Sequence, residues 1–406
     1  MKLRSILLLL TVGLVSSALR AQSQPQELEE LVHQRHWNEL RLAARSANTA
    51  FYRAIAAAVF NESEAESLFK QVVQDEPDSE HAYEAYNWLA NIYQKSGRYH
   101  SLAVIRQAQW KAFPEKVAIT SQKKEDAPFM SLPDQVNGPR IAATIRHDGH
   151  SLPAPARING KAVEFFFDNG ADLSCISEDE AKRLGMTFSD SEGAMGTMTN
   201  SVGFRMATAK SVTIGKMRFT DVSFAVFPDN QPPMSFVSLG HRGIIGLPLM
   251  VAIGTFRWNS KGTLIIGEKP EELLPDRSNL IFDFGDHVVL QAKFQGDTIW
   301  TSLDSGASGT DIYAPFFRQF SDYLEKHGKV SSNQIVGLGG TANYDSIDVP
   351  ELILQIDDKN LVLRPAHIMT KRQDHRDWIF ANIGKDLYMQ TPGFLLDFQA
   401  MRLTLK

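Results

Sequence analysis

Between residues 26 and 114 apolar residues return at helical spacing, as in NTAFYRAIAAAVF and HAYEAYNWLANIYQKSGRYHSLAVIRQAQWKAF. That period predicts a run of helices. Two pieces end alike: Ala65, Phe69 and Pro77 in SEAESLFKQVVQDEP are answered by Ala103, Ala108 and Pro114 in SLAVIRQAQWKAFP. The prolines stand 37 positions apart (77 against 114), near the period of helix-pair repeats. An ordinary helical bundle fits the same pattern. Residues 115–137 hold charges, two prolines and no sustained period, and read as a linker.

From residue 138 the texture changes to short alternating strands split by Gly, Asn and Asp: IAATIRH, VEFFFD, MRFTDVSFAVF, GTLIIG, VVLQAKF, LILQI, LVLRPAHIM, FLLDF and RLTLK. Helical patterning there is confined to EDEAKRLGM and APFFRQFSDYLEKHG. The expected architecture is therefore an all-α domain followed by a mostly β region.

Composition narrows the classes. The chain has 406 residues, 43% hydrophobic and 22% charged, enough to bury several cores. Its net charge of −5 comes with mixed signs and no run of Lys or Arg, so no nucleic-acid surface is expected. The start MKLRSILLLLTVGLVSSALRAQ has a basic opening, an apolar run from Ile6 to Val15 and small residues at Ser16, Ala18 and Ala21. It predicts a signal peptide over 1–21, an exported (periplasmic or secreted) protein and no stable membrane span after cleavage. The only cysteine, Cys175, excludes an internal disulfide and reads as a buried structural residue.

The β region contains itself twice. INGKAVEFFFDNGADLSCIS (158–177) aligns without a gap on FQGDTIWTSLDSGASGTDIY (294–313). Gly160 falls on Gly296, Asp168 on Asp304, Gly170 on Gly306, Ala171 on Ala307 and Ile176 on Ile312, always 136 positions apart (168 against 304). Further on, GAMGTMTN answers GLGGTAN, HRGIIGLPLM answers IFANIGKDLY, and GTFRWNSKGTLII answers GFLLDFQAMRLTL. A tandem duplication follows, with copies over 138–270 and 277–406 joined by the acidic stretch EKPEELLPD. Each copy drives an apolar strand into a carboxylate, where burying a charge costs several kcal/mol unless something compensates. Glycines beside the acid let backbone N–H groups approach it. Two halves about a pseudo-twofold axis would bring Asp168 and Asp304 together, and carboxylates at contact share a proton.

Apolar-apolar-Asp-(Thr/Ser)-Gly-Ala, followed about eighty residues later by apolar-apolar-Gly, resembles the signature of retropepsin-like aspartic proteases. The first copy supplies Phe166-Phe167-Asp168-Asn169-Gly170-Ala171-Asp172 with Ile244-Ile245-Gly246. The second supplies Ser302-Leu303-Asp304-Ser305-Gly306-Ala307-Ser308 with Asn382-Ile383-Gly384. The resemblance implies a bilobal acid-protease domain and an aspartic endopeptidase whose water is activated by Asp168 and Asp304. It implies Asn169, Gly170, Ala171, Ser305, Gly306 and Ala307 as support of the dyad, and Asp172 as a contact to substrate main chain. Gly196–Thr197 and Gly340–Thr341 fall where that family carries hairpins near the cleft. Two departures stand out: Asn169 replaces a hydroxyl residue that ties the halves together, and Asn382 replaces an apolar residue. They leave open a catalytically impaired, peptide-binding relative. The helical region resembles a degenerate tetratricopeptide array, which implies a protein partner there besides the peptide or protein substrate.

No cofactor or metal is expected. HDGH (147–150) and HQRH (33–36) lack a third ligand at suitable spacing, and GLGGTA opens no helix of a βαβ unit.

Overall fold

The computed structural model describes residues 26–46, 49–116, 119–196, 201–232, 234–270, 277–284, 287–337, 340–371 and 377–406. The expected leader (1–21) and Thr197 lie outside the described residues. Among the described residues no helix is long and apolar enough to cross a membrane. The chain divides into two compact units, Met1–Leu89 and Ala90–Lys406, the division falling inside the helix Glu80–Lys95.

The first unit is helical. Its helices cover 26–33, Trp37–Ala44, Ala50–Val59 and Ala65–Asp75, and then the start of Glu80–Lys95. In Ala65–Asp75 the buried residues are Ala65, Leu68, Phe69 and Val72, one stripe at helical spacing. Phe69 stacks on Trp88 at 5.7 Å and meets Phe51 edge-on at 6.4 Å, which gives the unit an aromatic centre.

The second unit opens with the rest of Glu80–Lys95 and the helix Tyr99–Ala112. Next comes the stretch that reads as a linker, and here the structure differs: it holds a helix over Ile119–Asp126 and a 3₁₀ turn over Ala127–Phe129. The segment has no period of its own because tertiary contacts order it. Phe129 stacks on Tyr99 at 5.5 Å and lies 6.5 Å from Phe204. Asp134 accepts from the Ser101 N–H at 2.9 Å and from its hydroxyl at 2.7 Å.

The β region forms two lobes from the two copies. In the first, an eight-stranded sheet runs in the order 136–137, 217–227, 175–177, 243–245, 161–167, 153–158, 201–214 and 187–196. The long strand Ser201–Ile214 pairs with both Pro153–Ile158 and Met217–Phe227, which curls the sheet on itself. The second lobe repeats the central order with 366–369, 311–312, 379–383, 297–303 and 287–294. There the work of the long strand is divided between Gly340–Val349 and Leu352–Ile356, on either side of Pro350. Proline has no N–H to give a ladder, so the strand breaks at that point.

A five-stranded sheet joins the lobes. Thr255–Asn259, from the end of the first copy, pairs antiparallel with Gly393–Asp397 from the end of the second, with Arg257 opposite Leu395. Phe256, Trp258 and Phe398 are fully buried over this sheet. Phe167, the residue before Asp168, meets Phe256 edge-on at 5.0 Å. The apolar residues leading into the first acid therefore reach the core shared by both copies.

Candidate active site

In each lobe the strand that ends in the acid lies parallel to the strand of the second motif. Phe166 and Phe167 pair with Ile244 and Ile245; Ser302 and Leu303 pair with Asn382 and Ile383. The Asp168 N–H donates to the Ile245 carbonyl at 3.0 Å, and the Asp304 N–H to the Ile383 carbonyl at 2.9 Å. The Gly246 N–H donates to the Ser174 hydroxyl at 3.0 Å, and the Gly384 N–H to the Thr310 hydroxyl at 3.3 Å. The duplication read in the sequence is thus repeated in these four backbone N–H bonds.

The two acids meet. Each carboxylate lies against the glycine two residues past the other acid, Asp304 at Gly170 and Asp168 at Gly306. The turns that carry them are crossed: a Cβ on Gly170 would run into the Asp304 carboxylate, and one on Gly306 into that of Asp168. Only glycine leaves room for the opposing acid at these two positions. Asp168 accepts from the Gly170 N–H at 3.0 Å. Asp304 Oδ1 accepts from the N–H groups of Gly306 and Ala307, both at 2.9 Å. Burial holds the Asp168 carboxyl well above the usual carboxylate range, the Asp304 charge and the bond between the acids push the same way, and N–H donors from Gly170 and Ala171 oppose them.

Beneath the acids the lobes grip each other through Asn169 and Ser305. Asn169 is buried. Its Oδ1 accepts from the Ser305 N–H at 2.9 Å, and its Nδ2 donates to the Leu303 carbonyl at 2.5 Å. Ser305 answers: its hydroxyl accepts from the Asn169 N–H at 3.1 Å and donates to the Phe167 carbonyl at 3.1 Å. A hydroxyl does both jobs with one atom, whereas the amide divides them between its oxygen and its nitrogen. The longer planar side chain still reaches both partners.

The other sequence candidates fall nearby or outside. Asp172 is partly exposed, with Oδ1 lying 3.9 Å from His287 Nδ1 of the second lobe. Gly196 pairs with Ser201 at the end of one hairpin, and Gly340 and Thr341 pair with Gly337 and Val336 in the other. Both glycine-rich segments are thus β-hairpins.

Three neighbours of the dyad carry chemistry that motif reading passed over. Asn382 Nδ2 donates to Asp304 Oδ2 at 3.0 Å. Asp311, directly across from Asn382 in the sheet, is pushed up to about 6 by burial and by the charges of Asp304 and Asp386, with His367 pulling the other way. The Tyr388 hydroxyl donates to the Ser305 carbonyl at 3.3 Å. The gapless alignment holds the signal for Asp311, since it puts this acid in place of Cys175.

Residues 154–249 match the family model for aspartyl protease. Over that stretch the first lobe is similar to aspartyl proteases. The match lies within the first of two lobes that repeat one central strand order and follow a helical N-terminal part. Among solved structures, a retropepsin-like aspartic protease from Rickettsia conorii is 20% identical, covering 32% of this chain and 91% of its own, with a TM-score of 0.22. Basic 7S globulin from soybean is 10% identical, covering 66% of this chain and 94% of its own, with a TM-score of 0.36. No curated protein matches the chain significantly.

Proposed function

We propose that this chain is an exported aspartic endopeptidase that cleaves peptide bonds with a water activated by Asp168 and Asp304. The observation that carries the reading is the meeting of two acids from sequence-distant copies over a cross-lobe grip. Two carboxyl groups this close share one proton, so the pair offers a base and an acid to the same water. Each such group contributes about 10²–10⁴ in rate, and positioning in the cleft supplies much of the remainder. Asp172 and the hairpins at Gly196 and Gly340 are suited to hold an extended peptide beside the dyad, and the segment around Gly196 and Thr197 to close over it. The helical array is proposed as the site of a protein partner. Export rests on the leader pattern at residues 1–21.

The impaired, peptide-binding reading drew on Asn169, whose amide supports the grip, and no observation favours it. The test is a peptide-library digestion over pH 3–7 with the purified chain and the variants Asp168→Asn and Asp304→Asn. Cleavage in the parent and a loss of at least about 10²-fold in each variant is expected. Undiminished turnover in either variant rejects the proposal.

A further inference from the structure

The lobes differ at one strand pair beside the acids. In the first lobe Cys175 lies directly opposite Ile244. At the same place in the second lobe Asp311 lies directly opposite Asn382. Directly opposed residues of a sheet project to the same face, so a thiol and an alkyl group in one lobe correspond to a carboxyl and an amide in the other. The amide is aimed at the dyad: Asn382 Nδ2 donates to Asp304 Oδ2 at 3.0 Å. Ile244 has no group that could donate to Asp168. Asp304 also takes the Gly306 and Ala307 N–H groups, and Asp168 those of Gly170 and Ala171. The donor sets are therefore matched by the duplication except for one side-chain N–H, which belongs to Asp304 alone.

A donated N–H favours the charged form of a carboxyl group. The acids on this side are Asp168 from the first lobe, Asp311 from the opposed strand and Asp386 from the helix Asp386–Met389. Tyr388 on that helix faces the dyad with its proton held on by burial and by the charges of Asp304, Asp168 and Asp386, so it adds no charge of its own. His367 faces Asp311 from Ala366–Met369 and acts on it in the opposite sense, and His287 reaches the Ser302 hydroxyl, two residues before Asp304, at 3.1 Å.

We propose that Asn382 is a positioning residue that makes Asp304 the ionised base and leaves the shared proton on Asp168. This inference rests on the peptidase reading of the dyad. The proton balance is then fixed. Asp304 takes a proton from the water as its oxygen bonds to the peptide carbon, while Asp168 passes its proton to the carbonyl oxygen. On collapse the C–N bond breaks, Asp304 returns its proton to the leaving nitrogen, and one hydroxyl of the diol restores the proton of Asp168. The chain ends as it began, with acid and amine released.

The test is carbon-13 NMR of the full chain labelled at the aspartate carboxyl carbons, with the two resonances assigned through Asp168→Asn and Asp304→Asn. The Asp304 carbon is expected to show the ionised shift at pH values where Asp168 still carries its proton. Asn382→Leu, which restores the apolar character of Ile244, is expected to make both carbons move together and to raise the acid limb of the kcat/KM profile by roughly one pH unit. Asp168 ionising first in the parent chain, or an unchanged order in Asn382→Leu, overturns the proposal. The parent measurement decides the matter even where the variant does not fold. A parent chain that cleaves no peptide counts against the peptidase reading, whereas the order of ionisation judges Asn382 independently of turnover.

Discussion

Asn169 and Ser305 exchange hydrogen bonds across the lobe boundary, each backbone N–H reaching the other's side chain. Each side chain also donates to a carbonyl of the opposite strand, Leu303 or Phe167. The bonds of one half are those of the other, although one half uses an amide and the other a hydroxyl.

This grip makes Asn169 a test of how the lobes are held. Asn169→Ala strands the Ser305 N–H and the Leu303 carbonyl, at about 1–3 kcal/mol for each group left unpaired in the interior. A loss of about 2–5 kcal/mol in urea unfolding is expected, with a fall in kcat/KM of about 10²-fold as the acids drift. Asn169→Thr keeps a donor and an acceptor and should stay within about 1 kcal/mol of the parent. A threonine variant as weak as the alanine one would show that the amide is needed for its shape.

Gly306 faces Asp168 as Gly170 faces Asp304. An alanine at either position must displace the opposing acid or its strand. Gly306→Ala is expected to lower kcat/KM by at least about 10²-fold, because a displacement near 1 Å suffices for that. Peptide affinity, read by fluorescence anisotropy, should change much less, since the methyl points at the acid. A variant with parental turnover would mean that the acids are not set by this contact.

Much of this site was legible in the sequence because the duplication is gapless from Gly160 to Ile176. A constant offset places equivalent residues in equivalent geometry, so the Asp168–Asp304 pairing follows from symmetry alone. What symmetry could not show is where the copies diverge. Asn382 read as a lost apolar residue, and only its position across from Asp311 turns it into a donor for Asp304. The helix Ile119–Asp126 was illegible for another reason: it has no apolar period, and its contacts are to another helix, Asp126 to Arg106 and Lys123 over the Trp110 ring. The helical patterning of APFFRQFSDYLEKHG is realised as two helices, Ala314–Gln319 and Ser321–His327, with Phe320 between them turned onto Phe294 at 4.8 Å.

Asp311 predicts a pH dependence of stability with a definite sign. In the folded chain burial first, then Asp304 and Asp386, push it up to about 6, against an ordinary value of 3.8. Below about pH 3 the acid is protonated folded or unfolded and contributes nothing. As pH rises towards 6 the unfolded chain releases this proton while the folded chain keeps it, so stability falls, by up to about 3 kcal/mol. Asp311→Asn is neutral and nearly isosteric. Urea unfolding should give nearly equal stabilities at pH 3 and a more stable variant at pH 7.5. A constant difference across that range would mean that the folded protein ionises Asp311 as readily as the unfolded chain does.

Phe129 predicts a link between the interhelical stretch and the first hairpin. It is buried between Tyr99 and Phe204, and Pro128 beside it fills the space a Cβ on Gly193 would need. Gly193 and Phe204 are opposed residues on the two strands of that hairpin. The second hairpin, Lys329–Gly337 with Gly340–Val349, instead receives the helix Ser321–His327, whose Leu324 lies with Ile347 against Gly328. Phe129→Ala should cost about 3–5 kcal/mol as a large-to-small change in a packed site. Its local signature is the sharper test. Hydrogen exchange should rise in Thr187–Gly196 and Ser201–Ile214 and stay at the parental level in Lys329–Val349. Equal acceleration in both hairpins would trace the effect to general loosening of the fold and not to the contact of Phe129 with Phe204.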